Sequence, residues 1–208
     1  MVMDAEAWNA RYGASEMLWG VEPNRWVVAE TADLVPGEAL DVACGEGRNA
    51  VWLADRGWAV TGVDFSTVAL DRARGLAAQA GPEIEARLTW VQSDAHDGSR
   101  WGGPFDLVIM AYLHLPPHER QEALRTATGV LAPGGTLLVV GHDLSNLTEG
   151  VGGPQDAMLL LTPESVVADL RDVGGLVVER AERVIRLVET PEGERKAVDA
   201  LVRVRRLG

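Results

Sequence analysis

Gly45 and Gly47 lie in the run Asp41-Val42-Ala43-Cys44-Gly45-Glu46-Gly47-Arg48-Asn49-Ala50. Two glycines at this spacing let the backbone turn tightly and let a ligand come close to it. A helix opening directly after them presents free N–H groups to that ligand. Gly45-x-Gly47-x-x-Ala50 also matches the dinucleotide-binding fingerprint. Asp64 stands 19 residues beyond Gly45. A carboxylate there can accept hydrogen bonds from both ribose hydroxyls of an adenosine. Asp41 discriminates between cofactors: a pyrophosphate beside it is repelled, whereas an ammonium or a sulfonium is attracted. S-adenosyl-L-methionine carries both cations. Arg48 pulls the other way, because it can face a phosphate as well as pair with a carboxylate.

These residues need elements to position them. Ala39–Cys44, Ala59–Asp64, Leu88–Val91, Leu107–Met110 and Thr136–Gly141 are short apolar runs of strand length. Helical stretches separate them: Asn49–Arg56 up to Gly57, Ser66–Ala80 up to the stop Gly81-Pro82, and Pro116-Pro117 through Val130. Pro133-Gly134-Gly135 is expected to turn the chain into the next strand. Thr162-Pro163-Glu164 reads as a helix start, with the helix reaching about Val173. This alternation predicts a parallel α/β sheet. Leu176–Val188 and Ala197–Arg206 are two long strand candidates joined by Thr190-Pro191-Glu192-Gly193, which predicts a terminal hairpin, partly antiparallel. Residues 142 to 161 form a long loop, and Asn146–Pro154 within it is either an acceptor-side flap or an ordinary surface loop.

Leu40–Ala50 resembles the first motif of the class I S-adenosylmethionine-dependent methyltransferases. Val60-Thr61-Gly62-Val63-Asp64-Phe65-Ser66 resembles their second motif, Gln92-Ser93-Asp94-Ala95 the third, Phe105–Ala111 the fourth, and Leu131-Ala132-Pro133-Gly134-Gly135-Thr136-Leu137 the turn into the fifth strand. The motifs run in family order over about residues 38 to 141. Trp8-x-x-Arg11-Tyr12, Trp19-Gly20 and Pro23-Asn24 are similar to the small-molecule branch that includes tellurite-resistance and thiopurine methyltransferase-like proteins. The resemblance implies a Rossmann-like, doubly wound, seven-stranded and mostly parallel sheet, its last strand antiparallel, with helices on both faces. It implies one domain over 1–208: an aromatic-rich cap or lid in 1–35, a cofactor half in 36–141, and a substrate-side loop, helix and hairpin in 142–208.

On this reading the cofactor is S-adenosyl-L-methionine and the product S-adenosyl-L-homocysteine. Asp94 is expected to reach the adenine amino group and the Ala95 N–H a ring nitrogen, with Phe65 on the adenine face. Asn49, Ser66 and Ser93 complete the expected contacts, and Met110 and Ala111 end the strand where the class places its transfer chamber. Tyr12 and Trp19, with Trp8 and Trp26, form an aromatic set suited to a lid and an apolar acceptor pocket, and the Tyr12 hydroxyl is suited to the methionyl carboxylate. Methyl transfer from a sulfonium is an in-line displacement, so the protein has mainly to align the reactants, exclude water and, for a hydroxyl acceptor, remove a proton. His142 and His114 are the base candidates, with His118 behind them and His96 lower. The alternatives are an NAD(P)-dependent oxidoreductase, a non-catalytic binder of the cofactor and a macromolecule methyltransferase. Asp41 and the Pro-Gly-Gly turn count against the first. The run Met110-Ala111-Tyr112-Leu113 lacks the Asn/Asp-Pro-Pro-Tyr-like pattern of the third.

Composition narrows the partners. With 19 Lys+Arg against 31 Asp+Glu the formal charge of the 208 residues is -12, and Lys196 is the sole lysine. That balance argues against tracking nucleic acid or docking on anionic membranes, leaving a small-molecule methyl acceptor. No run has the length and apolarity of a membrane span. Cys44 is the one cysteine, so neither an intrachain disulfide nor a cysteine zinc site is expected, and the four histidines lack metal-ligand spacing. A cytoplasmic location is the expectation.

Overall fold

The computed structural model describes residues 4–14, 20–191 and 193–208. Seven strands form a single sheet in the order β3-β2-β1-β4-β5-β7-β6. They are β1 Glu38–Val42, β2 Ala59–Asp64, β3 Leu88–Gln92, β4 Phe105–Ala111, β5 Leu131–His142, β6 Leu176–Thr190 and β7 Gly193–Arg206. The pairs among β1 to β5 are parallel, and β7 runs antiparallel to both β5 and β6. The seven-stranded Rossmann-like sheet expected from the sequence is therefore the one that forms.

The helices are α1 Ala5–Gly13, α2 Arg25–Thr31, α3 Arg48–Asp55, α4 Thr67–Ala80, α5 Pro82–Glu85, α6 Pro117–Gly129 and α7 Pro163–Asp169. Four of them, α1, α2, α4 and α7, start on side chains that satisfy the first N–H groups. Asp4 caps α1, Asn24 caps α2 through the Trp26 and Val27 N–H groups, and Ser66 caps α4. Thr162 and Ser165 form a capping box on α7.

Alternation along the strands divides the core in two. Leu40 and Val42 of β1, Val108 and Met110 of β4, and Leu137 and Val139 of β5 pack with Leu124 of α6 and Val166 of α7. Ala39, Leu107, Ile109, Leu138 and Leu201 point the other way and pack with Val27 of α2 and Leu53 of α3. Asp41 pairs with Ile109, and His142 with Asp199. Strand parity puts all four on the α2/α3 face, at or near the carboxyl ends of the parallel strands.

Three boundaries differ from the sequence reading. Gly81-Pro82 ends α4 and at once opens α5, because Pro82 sits at the first helical turn, where no N–H is required. Helix α7 ends at Asp169 rather than near Val173, and turns lead through Gly174-Gly175. Pro133-Gly134-Gly135 is a bulge inside β5 rather than a turn before it: Phe105 pairs with Leu131 and Leu107 with Thr136. A Cβ on Gly135 would lie 2.8 Å from the Phe105 carbonyl oxygen, so the chain needs glycine to come that close.

Candidate active site

The glycine loop joins β1 to α3 with both glycines in the left-handed region, at φ 54° for Gly45 and 81° for Gly47. Asp64, from the end of β2, holds this loop. Its Oδ2 accepts from the Gly45 N–H at 2.9 Å and its Oδ1 from the Ser66 N–H at 2.9 Å. A carboxylate offers about four lone-pair positions, so both oxygens keep acceptor capacity. Trp90 of β3 packs beneath the loop. A Cβ on Gly62 would meet its ring at 2.5 Å, and one on Gly47 at 2.7 Å.

Asp41 is 1% exposed, and its Oδ2 has no hydrogen-bond partner. The Ala50 N–H faces the carboxyl group. Burial, reinforced by the charge of Asp64, pushes the Asp41 pKa up to about 8. Arg48, at the start of α3, lies within electrostatic reach of Tyr112, Asp41 and Glu46. A buried carboxyl oxygen without a partner beside a glycine cradle is completed by a cationic ammonium, which favours its ionised form, so the residues present suit S-adenosyl-L-methionine.

The structure gathers most of the predicted cofactor residues here. The Tyr12 hydroxyl lies 2.9 Å from where a Cβ on Gly45 would stand, which places α1 over the loop. Trp8 packs on Tyr12 with ring centroids 5.5 Å apart. Ser66 donates to Asn9 of α1 at 2.6 Å. Asn49 is buried and accepts from the Asn24 N–H at 2.8 Å, pinning the start of α2. Phe65 and Ala95 are half-buried beyond the ends of β2 and β3. Ser93 donates to the Asp97 carbonyl at 2.9 Å. Asp94 Oδ1 accepts from the His96 backbone at 3.0 Å and contacts its ring Nδ1 at 2.5 Å. Trp19 lies outside the described residues.

Met110 and Ala111 end β4 beside a second cluster. His114 and His142 stack with centroids 5.3 Å apart at 17°, and the Tyr112 ring lies 4.9 Å from His142. The His142 N–H donates to His114 Nε2 at 3.1 Å, which uses that lone pair. Burial, then the neighbouring His142, pushes the His114 pKa down to about 3. Asp199 on β7 and Arg186 on β6 complete the cluster, and sequence reading did not single out either. Asp199 Oδ2 accepts from Trp26 Nε1 at 2.9 Å, from the Tyr112 hydroxyl at 2.8 Å and from Arg186 Nε at 2.8 Å. The signal was present: Asp199 is a lone acid in the apolar run Ala197-Val198-Asp199-Ala200-Leu201-Val202. Tyr112 adopts φ 60°, a left-handed conformation unusual for a side chain of its size. His118 stands exposed on α6, and His96 sits by Asp94. The loop after β5 is anchored, since the Asn146 amide bonds both backbone groups of Val198.

Residues 39–135 match the methyltransferase domain family. The 2-heptyl-1-hydroxyquinolin-4(1H)-one methyltransferase of Mycobacteroides abscessus is 30% identical over 122 residues, covering 58% of this chain and 52% of that protein. The ubiquinone biosynthesis O-methyltransferase of Caulobacter sp. is 35% identical over 100 residues, covering 48% and 38%. The chain thus spans about half the length, or less, of these curated relatives. A solved structure described as showing conversion of a disulfide bond into a thioacetal group during echinomycin biosynthesis superposes with a TM-score of 0.77, at 23% identity over 98% of this chain and 91% of that one. The glycopeptide N-methyltransferase MtfA complexed with (S)-adenosyl-L-methionine gives 0.68, at 21% identity over 92% and 90%. At these identities the two structures share the fold.

The match to the methyltransferase domain falls on the Rossmann-like sheet and its glycine loop at the carboxyl edge. Over residues 39–135 the chain is similar to the methyltransferase domain, and its fold is that of S-adenosylmethionine-dependent methyltransferase structures. The narrower tellurite-resistance and thiopurine branch has only a likeness of fold behind it, through TehB from Haemophilus influenzae, with a TM-score of 0.68 at 14% identity.

Proposed function

We propose that the protein methylates a small-molecule acceptor held between the glycine loop and the Tyr112–His114–His142 wall. The unpartnered Asp41 Oδ2 carries this reading, because it gives the cofactor side of the cleft a preference for a cation. When bound, the cofactor supplies an activated methyl group on a sulfonium that departs as a neutral thioether. The chain's own residues bind and orient. Asp41 takes the amino group, Asp64 the ribose hydroxyls, Asp94 and the Ala95 N–H the adenine edge, and Phe65 its face. The Tyr12 hydroxyl is assigned to the carboxylate, and α1 covers the loop against water. Met110 and Ala111 line the transfer chamber, and His142 and His114 are the base candidates.

Relatives named for a hydroxyquinolinone and for ubiquinone biosynthesis support a small acceptor. In this reading residues 36–141 serve the cofactor and 142–208 the acceptor. The lone Cys44 supports a reducing cytoplasm, and no helix among the described residues is long and apolar enough to cross a membrane.

The test is calorimetric titration with S-adenosylhomocysteine, S-adenosylmethionine and NAD(P)H. Product formation is then followed across phenols, amines, thiols and tellurite. Binding of the adenosyl compounds, weakened in Asp64→Ala, is expected. Tight NAD(P)H binding with no response to either adenosyl compound overturns the proposal.

A further inference from the structure

We infer that Asp199 is a positioning residue that holds His142 as the proton acceptor, so that the methyl acceptor is protic: a hydroxyl, N–H or S–H group. The inference rests on the methyltransferase reading above and deepens it.

Asp199 is 0% exposed, and its two oxygens have different surroundings. Oδ2 is saturated by Trp26, Tyr112 and Arg186. Oδ1 has no partner and stands 3.6 Å from His142 Nδ1. A buried carboxylate oxygen without a donor is costly, and a proton on Nδ1 is the nearest remedy. The competitor is the Asn146 amide, whose Nδ2 is 3.5 Å from the same nitrogen. That Nδ2 spends one of its two N–H groups on the Val198 carbonyl at 2.6 Å, and the other meets His142 Nδ1 only at the 3.5 Å limit of a hydrogen bond and would leave Asp199 Oδ1 without a donor. The ring itself is clamped: Tyr112 and His114 pack against it, and a Cβ on Gly153 would come within 2.6 Å of its Cγ.

A proton on Nδ1 leaves the Nε2 lone pair available. His114 cannot play this part without giving up its bond from the His142 N–H. In the step, the acceptor X–H gives its proton to His142 Nε2 and X bonds to the methyl carbon. The carbon–sulfur bond breaks with its electron pair left on sulfur. The imidazolium lies beside the Asp199 carboxylate and then releases its proton to water. The charged and titratable groups around the ring are Asp199 from β7, Arg186 from β6, Tyr112 and His114 from the end of β4, and Asp143 next in sequence. Arg48 of α3 interacts with Tyr112 and Arg186. Burial lowers the His142 pKa, Asp199 raises it and Arg186 lowers it.

The tautomer of His142 is read by nitrogen-15 NMR of the ligand-free protein, with His142→Gln assigning the resonance. Nδ1–H in the wild type, shifting to Nε2–H in Asp199→Asn, is expected. Nε2–H in the wild type overturns the inference, and that spectrum decides even if the variant fails to fold. In the acceptor panel, turnover is expected with phenols, primary amines or thiols. Turnover confined to a tertiary amine or a thioether overturns it. Titration with S-adenosylhomocysteine separates the two readings: failure to bind strikes the methyltransferase assignment, whereas binding with the wrong tautomer strikes only the role of Asp199.

Discussion

Asp41 titrates near pH 8 in the fold and near 3.9 in an unfolded chain. A carboxyl group with a raised folded pKa contributes its full stability below the unfolded value and loses it as pH rises through the folded one. Ligand-free protein should therefore lose stability between about pH 4 and pH 8 from this group. Asp41→Asn removes the charge, so the Tm of the variant relative to wild type should climb across that window in scanning calorimetry. The same variant should bind S-adenosylhomocysteine about tenfold more weakly or worse at pH 8. A pH-independent Tm offset would refute the assignment. Asp41 and Asp64 were legible from sequence because their positions follow from the glycine loop and the strand ends beside it. Trp90 was not legible as a support for that loop, because only the pairing of β3 with β2 brings its ring against Gly62. Gly62→Ala is expected to cost about 1–3 kcal/mol by overpacking against that ring, measured by denaturant unfolding.

Helix α2 has seven residues, too few to stand alone, and its partners hold it. Asn24 caps it, Trp26 bonds Asp199, and Glu30 pairs with Arg180 and Arg203. Asn24→Ala should cost about 1 kcal/mol and lower Tm by about 2–4 °C. The loop after β5 was readable from sequence only as a flap or a surface loop. Asn146 decides for an anchored loop, since its amide completes the edge of β7 at Val198. Asn146→Ala leaves a buried donor and acceptor unpaired, at about 1–3 kcal/mol each. Hydrogen-exchange protection of the Val198 amide should fall with it, and unchanged protection would show that the loop does not hold that edge. Capped helices such as α4 and α7 were legible because their signals lie within four residues. The bulge at Pro133–Gly135 was read as a turn because the strand pairing that makes it a bulge lies in β4.

Across the whole molecule, long-range hydrogen bonds tie the N-terminal segment to the C-terminal hairpin. Trp26 and Asp199 are 173 residues apart in sequence, and Arg203 reaches Asp33 from 170. Ligand binding at the glycine loop should therefore stabilise the entire chain. At a concentration of S-adenosylhomocysteine about 100 times its Kd, the gain is about 2.7 kcal/mol, or roughly 5–10 °C in Tm for a protein of this size. On the opposite face, the Arg120–Asp169 ion pair at 2.6 Å joins α6 to α7 with both side chains largely buried. Asp169→Ala should destabilise by about 3–5 kcal/mol, because the guanidinium is left unpaired, while the affinity of the folded protein for S-adenosylhomocysteine stays unchanged.

The sequence alone determined the alternation of strands and helices, the starts of α3, α4, α6 and α7, the glycine loop and the carboxylates Asp41 and Asp64 beside it. Each depends on turn chemistry, capping or alternation within a few residues. The cluster of Tyr112, His142, Arg186 and Asp199 was decided by tertiary structure. The antiparallel register of β7 against β5 sets Asp199 opposite His142, and a slip of one residue would turn the carboxylate to the other face of the sheet. Nothing local to Asp199, Arg186 or Tyr112 encodes that register. It comes from apolar burial along the length of β7, which no short window of sequence contains.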